Sequence, residues 1–106
     1  MPTPKIGSPV RGSKTGRPIM VALDLLGRRA ALRIVWELRR GDQLTFRALQ
    51  EACDTNPSLL NTRLKELRGV GLVAHDDGGY HLTDEGRKLM TALMPLCTWA
   101  EGWGGK

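Results

Sequence analysis

The stretch from Thr45 to Leu82 constrains the fold most. Thr45 is placed to cap a helix over about Phe46 to Cys53, with Phe46, Leu49 and Cys53 on one face. Asp54-Thr55-Asn56-Pro57 follows. Asn is a strong helix cap and Pro is favoured in the first turn, so a second helix starts here and runs to about Arg68. Leu60, Leu64 and Leu67 share one face of it, with Leu59 beside them. Gly69-Val70-Gly71 stops the helix. Leu72 to Asp76 then reads as a strand, Asp77-Gly78-Gly79 as a tight turn and Tyr80 to Leu82 as the returning strand. Two helices joined by a tight turn and followed at once by a hairpin leave few architectures open.

The flanking segments narrow the choice further. Pro18 opens a helix that Gly27 closes, and Ile19 to Leu26 is apolar except for Asp24. A helix apolar nearly all round has to be covered on all sides, which one neighbour in a small domain cannot do. The next helix is expected over about Arg28 to Arg40, with Ala31, Ile34, Val35 and Leu38 as its inner stripe, Trp36 off that stripe and Gly41 as its stop. Arg39 and Arg40 suit the negative end of its dipole. Gln43 to Thr45 reads as a short extended piece. Thr83 caps a last helix with Asp84 and Glu85 in its first turn, continuing through Leu89, Leu93, Leu96 and Ala100 with a bend at Pro95. This order predicts an α+β, mostly α fold: a winged helix-turn-helix with extra N- and C-terminal dimerisation helices. Residues 1–16 are expected to be a flexible basic arm, 17–101 the winged-helix domain and 102–106 a flexible tail.

Charge is less informative than its total suggests. The chain of 106 residues carries a net charge of +5. Lys5, Arg11, Lys14 and Arg17 hold four of the sixteen bases, which leaves twelve against eleven acids in the rest. The folded part is therefore nearly neutral, and charge alone does not make it a nucleic-acid binder. No apolar run reaches a membrane span, and Met1 to Val10 has no signal-peptide core, so a cytoplasmic protein is expected. Cys53 and Cys97 stand in no paired motif and are expected to be reduced, packed as small apolar groups.

Several stretches together resemble one family. Ala22-Leu23-Asp24-Leu25-Leu26-Gly27, Leu32-Arg33-Ile34-Val35-Trp36-Glu37-Leu38, Asn61-Thr62-Arg63-Leu64-Lys65-Glu66-Leu67, Gly71-Leu72-Val73, Leu82-Thr83-Asp84-Glu85-Gly86 and Leu96-Cys97-Thr98-Trp99 follow one another in this order. In that order the chain resembles the HxlR-type winged-helix regulators of bacteria and, more distantly, the MarR type. The resemblance implies a transcription factor that dimerises through its first and last helices and places its fourth helix in the major groove. Where the family commonly carries a Cys ahead of the first helix's proline, this chain has Arg17. A redox signal would therefore have to use Cys53 or Cys97. The family's basic-aromatic pair in the second helix is here Arg29-Ala30, and the hairpin carries Asp76 and Asp77 where a basic tip is expected.

With its leucines facing inward, the helix from Pro57 turns Ser58, Asn61, Thr62, Lys65 and Arg68 outward. Small hydrogen-bonding groups near the helix start suit base edges, and bases further along suit phosphates. Asn56, Arg47 and Arg63 complete the expected contacts to double-stranded DNA, with Arg63 able instead to brace the helix through Glu66 or Asp54. Ile19, Met20, Leu23 and Leu26 of the first helix, and Leu89, Met90, Leu93, Met94, Cys97, Trp99 and Trp103 of the last, are expected to form a homodimer interface. The reading is of a dimeric regulator on a pseudo-palindromic operator. The alternative is a winged helix used only for protein contacts, as an adaptor or antagonist. A small-molecule effector is compatible with either, though no polar anchor argues for one. His75 and His81 with Asp76 and Asp77 lack a well-spaced third ligand, so no metal or cofactor is expected. No nucleophile with a paired base and no phosphate loop points to an enzyme.

Overall fold

A computed structural model describes residues 17–105. The arm expected over residues 1–16 lies outside the described residues. The elements are α1 (Pro18–Leu26), α2 (Ala31–Glu37), α3 (Phe46–Cys53), α4 (Pro57–Gly69), β1 (Val73–Asp76), β2 (Gly79–Leu82) and α5 (Asp84–Gly104). They form the winged helix-turn-helix arrangement that the sequence predicts. Thr45, Asn56 and Thr83 cap α3, α4 and α5, their side-chain oxygens accepting from the backbone N–H groups of Ala48, Leu59 and Gly86. Each cap satisfies one of the donors left over at a helix start.

The core is one cluster. Ile34 and Val35 of α2 and Leu38 just past its end meet Leu49 of α3, Leu60, Leu64 and Leu67 of α4, Val73, Tyr80 and Leu82 of the hairpin, Leu25 of α1 and Met90 of α5. The hairpin is antiparallel, with Val73 opposite Leu82 and Asp76 opposite Gly79. Leu44 adds a short bridge to Tyr80, exchanging both backbone hydrogen bonds with it at 2.9 and 2.7 Å. The extended piece at Gln43 to Thr45 is thus the edge of the wing. Gly79 has a φ of 121°, and a Cβ there would strike the Leu44 carbonyl, so only glycine fits that crossing.

Gly86 marks a second close approach. Thr83 binds the Gly71 carbonyl through its hydroxyl and the Leu72 carbonyl through its N–H. This draws the first turn of α5 onto the start of the wing, and a Cβ at Gly86 would overlap the Leu72 carbonyl and press on Leu82. Gly86→Ala is expected to lower stability by about 1–3 kcal/mol. The measurement is the urea midpoint; a midpoint unchanged from wild type would mean that α5 can be lifted off without cost.

Three boundaries differ from the sequence reading. The second helix begins three residues later and ends three earlier than expected. At its start Ala30 adopts a left-handed conformation (φ 73°) and Arg28 is buried among carboxylates, so residues 28–30 turn instead of coiling. At its end the Arg39 N–H bonds back to the Trp36 carbonyl, and the Arg39 guanidinium covers the Trp36 ring at 3.8 Å. The last helix runs on through Pro95, Gly102 and Trp103 to Gly104, past the expected boundary at 101. No helix of the described residues is long and apolar enough to cross a membrane.

Candidate nucleic-acid interface

α3 and α4 are joined by a turn at Asp54, Thr55 and Asn56. Asp54 takes the left-handed conformation (φ 50°, ψ 54°) that lets α3 end and the chain reverse. α4 then packs Leu60, Leu64 and Leu67 inward, all at or below 1% exposure. Its other face carries Ser58, Asn61, Thr62, Lys65 and Arg68, all exposed. The Thr62 hydroxyl donates to the Ser58 carbonyl at 3.1 Å, which leaves its oxygen lone pairs and methyl group outward. A shallow groove of about 510 Å³ runs beside this face, lined by Lys65, Arg68, Gly69, Val73, Ala74 and His75. Its two cations lie between α4 and the wing, where a passing phosphate backbone would meet them.

Other expected contacts are placed differently. Asn56 uses its side-chain oxygen for the helix cap, 2.8 Å from the Leu59 N–H. Arg63 is turned inward: its Nε donates to the Arg29 carbonyl at 2.8 Å and its Nη1 to Glu66 at 3.1 Å. With 16% of its side chain exposed, it braces α4 and is not on the outer face. Arg47 is on the surface of α3, 3.8 Å from Glu51 in a loose pair between two solvated side chains. Such pairs hold a side chain weakly, so Arg47 remains able to reach a phosphate.

One of the two wing acids is engaged within the wing itself. One Asp76 oxygen accepts from the Gly78 N–H at 2.9 Å and the other from Gln43 at 3.0 Å, with His81 Nδ1 at 3.7 Å. Asp76 therefore shapes the turn while remaining exposed, and Asp77 is a second exposed acid at the tip. His75 stacks on Tyr80 with ring centroids 4.2 Å apart. No group of three metal-ligating side chains occurs among the described residues.

Of the expected dimer residues, Ile19, Leu23, Met94, Trp99 and Trp103 are exposed, by 60%, 58%, 49%, 58% and 76%. Met20, Leu26, Leu89, Leu93 and Cys97 are half-buried. Met90 is a correction: at 7% exposure it belongs to the core, because it is on the side of α5 that faces α2 and the hairpin. Leu96, part of the apolar run expected along the last helix, is 50% exposed and adds to the outer stripe. Trp99 and Trp103 stack on one another, one helical turn apart, with centroids 5.3 Å apart and planes 9° apart.

Cys53 packs at the end of α3. Arg33 spans from α2 to the nearby Ala52 carbonyl at 2.7 Å while pairing with Glu37 at 2.7 Å. Burial pushes the Cys53 thiol up, the Glu37 carboxylate adds to the rise and Arg33 opposes it. The thiol thus stays protonated through neutral pH. Any stability tied to its burial is present below the ordinary thiol pKa and is lost as pH rises through the elevated folded value. Iodoacetamide at pH 8 is expected to alkylate Cys53 more slowly than the same thiol in the urea-unfolded chain. Equal rates would contradict the shift.

The sequence reading offered the Arg63–Glu66 brace as an alternative but missed the buried ion cluster it belongs to, beneath α4. Arg28 pairs with Glu66 at 2.6 Å and with Asp24 at 3.0 Å, and Glu66 pairs also with Arg63. The Asp24, Arg28 and Glu66 side chains are 5–6% exposed. One signal was present: Asp24 is the single polar residue within Ile19 to Leu26, and a carboxylate in such a helix needs a buried partner.

A helix-turn-helix with a wing, a polar outer face on its second helix and cations beside it defines a DNA-binding module of transcriptional regulators. The chain belongs to the HxlR-like helix-turn-helix family, whose model matches residues 25–106. It is 28% identical over 96 residues to the HTH-type transcriptional regulator YdzF of Bacillus subtilis, covering 83% of this chain and 88% of that one. It is 33% identical over 90 residues to YvaP of the same organism, also an HTH-type transcriptional regulator, covering 77% and 82%. Among solved structures it resembles quinone-bound YodB from B. subtilis, with a TM-score of 0.71, 30% identity and coverage of 80% and 97%. It also resembles the Mycobacterium tuberculosis MarR family protein Rv2887, with a TM-score of 0.61, 26% identity and coverage of 76% and 63%. The protein is a transcriptional regulator with a helix-turn-helix domain, and its family is not one of enzymes.

Proposed function

We propose that this regulator acts in the cytoplasm as a homodimer that reads a pseudo-palindromic operator with α4. The observation that carries the reading is the exposed face Ser58, Asn61, Thr62, Lys65 and Arg68 on a helix whose opposite face is locked into the core. Asn61 and Thr62, in the first half of the helix, suit base edges; Lys65 and Arg68 suit the backbone alongside. A second copy is the natural cover for the apolar flanks. Ile19 and Leu23 of α1 and Met94, Leu96, Trp99 and Trp103 of α5 would otherwise face water. Between the two helices runs a groove of about 540 Å³ lined mainly by Val21, Ala22, Leu25, Leu26, Leu72 and Leu89. A twofold pairing would fill it and place two reading helices about one DNA turn (~34 Å) apart.

Selection of bound duplexes from a random pool at two salt concentrations tests the reading. A recurring inverted repeat retained at the higher salt supports it. No enrichment over random duplex would favour the alternative of a protein-contact module, for which the exposed Asp77 at the wing tip is the supporting observation. Within the operator reading, Lys65→Ala is expected to weaken all sequences alike and reduce the salt slope by about 1, and Asn61→Ala to cost about 1–3 kcal/mol and relax preference at one position. Competition binding against single-base variants of the selected site separates the two effects.

A further inference from the structure

We infer that the buried cluster Asp24, Arg28, Glu66 and Arg63 is a positioning device that sets the angle between α1 and α4, and through it the half-site spacing the dimer accepts. The inference rests on the operator-reading dimer proposed above. Among the described residues, two acids and two bases form one chain of contacts. Asp24 belongs to α1, Arg28 to the elbow between α1 and α2, and Glu66 and Arg63 to α4. Arg28 Nη2 is 3.0 Å from Asp24 and Nη1 is 2.6 Å from Glu66; Glu66 receives Arg63 Nη1 at 3.1 Å. Arg63 Nε returns to the elbow at the Arg29 carbonyl, 2.8 Å away. α4 is thus fastened to the elbow at two points, and the elbow to α1 at a third.

Stability alone does not account for such a cluster. Burying charge removes it from water, and apolar side chains of similar volume often serve a core as well or better. A directional network does what leucines cannot. Apolar packing permits sliding and tilting, whereas charge-assisted hydrogen bonds hold short distances and fixed angles. The requirement for angle is also specific to this fold. α1 carries part of the exposed apolar surface and rests chiefly on α2, whereas α4 carries the polar outer face. α4 has 13 residues, about 20 Å, and over that length a tilt of about 10° moves the far end by about 3.5 Å, close to the rise of one base pair. A loose elbow would let two half-sites bind at the wrong separation.

The test compares operators whose half-sites are moved one base pair closer or further apart, using the full chain. Thermal unfolding and dimer content are read on each protein. Glu66→Gln keeps the shape and removes the charge. A second variant, Asp24→Leu with Arg28→Met, Arg63→Met and Glu66→Leu, replaces the whole cluster by apolar volume. Both are expected to bind a single half-site duplex with wild-type sequence preference. Their discrimination between correct and shifted spacings is expected to fall about tenfold, within the range usual for coupled sites. The apolar variant is expected to keep or raise the melting temperature while losing that discrimination, a result that a purely structural role does not produce. Unchanged spacing discrimination in the folded variants overturns the inference. So does failure of both to fold, which would make the cluster a folding requirement. A wild-type protein that binds no specific duplex would instead overturn the operator reading beneath it.

Discussion

Leu23→Glu is expected to separate the two copies and lower operator affinity by about 10²–10⁴-fold, the usual gain from holding two binding modules together. Leu23 projects from α1 and is 58% exposed, so a carboxylate there meets water in the single chain and leaves its core untouched. In the proposed dimer the same position is covered, and twofold symmetry puts two added carboxylates at one interface. The cost therefore falls on association. Sedimentation is expected to show a monomer with wild-type helicity, and each monomer should retain only the weak, salt-sensitive affinity of one reading helix. A Leu23→Glu protein that remains dimeric and binds normally would remove α1 from the interface. Trp103→Ala is the companion probe on α5, since Trp103 is the most exposed apolar side chain of that stripe, at 76%.

Leu64→Ala is expected to cost about 2–5 kcal/mol, a large share of the roughly 5–15 kcal/mol that stabilises a domain. Leu64 is 1% exposed in the middle of α4, which packs on α2 and on β1. Truncation leaves a cavity that these elements cannot readily close, because α4 is held at its start by the Asn56 cap and along its side by the ion cluster. Urea unfolding should show a lower midpoint with an unchanged slope. DNA affinity measured well below that midpoint should change little, because Leu64 is in the core on the inner face of α4. A loss below about 1 kcal/mol would mean that the inner face of α4 is assigned wrongly.

Most of the fold was legible because its signals are local. Thr45, Asn56 and Thr83 cap helices through their own side chains, Pro18 and Pro57 sit in first turns, and Leu60, Leu64 and Leu67 recur at helical spacing. Such interactions span three or four residues, so the sequence exposes them directly. The second helix was the weakest boundary, since its start depends on where the Arg28 side chain goes, and that depends on Glu66, 38 residues away.

The candidate DNA face was legible for the same reason: once Leu60, Leu64 and Leu67 are inside, Ser58, Asn61, Thr62, Lys65 and Arg68 are outside. Spacing offered the Arg63–Glu66 brace only as one of two options and could not say which of the remaining polar residues were already engaged. Arg63 faces the elbow, Asn56 caps its helix and Asp76 builds the wing's turn, each because of a partner brought near by folding. Met90 could not be told from its outer neighbours, because α5 is apolar over more than one face and only packing shows which one the core covers.

The sequence by itself thus determined the order of helices and hairpin, the caps between them and the apolar excess of α1 and α5, all of which follow from periodicity and nearest neighbours. The tertiary structure alone decided which charges are buried, because a carboxylate in a helix and an arginine in a turn become a cluster only when the chain brings their elements together.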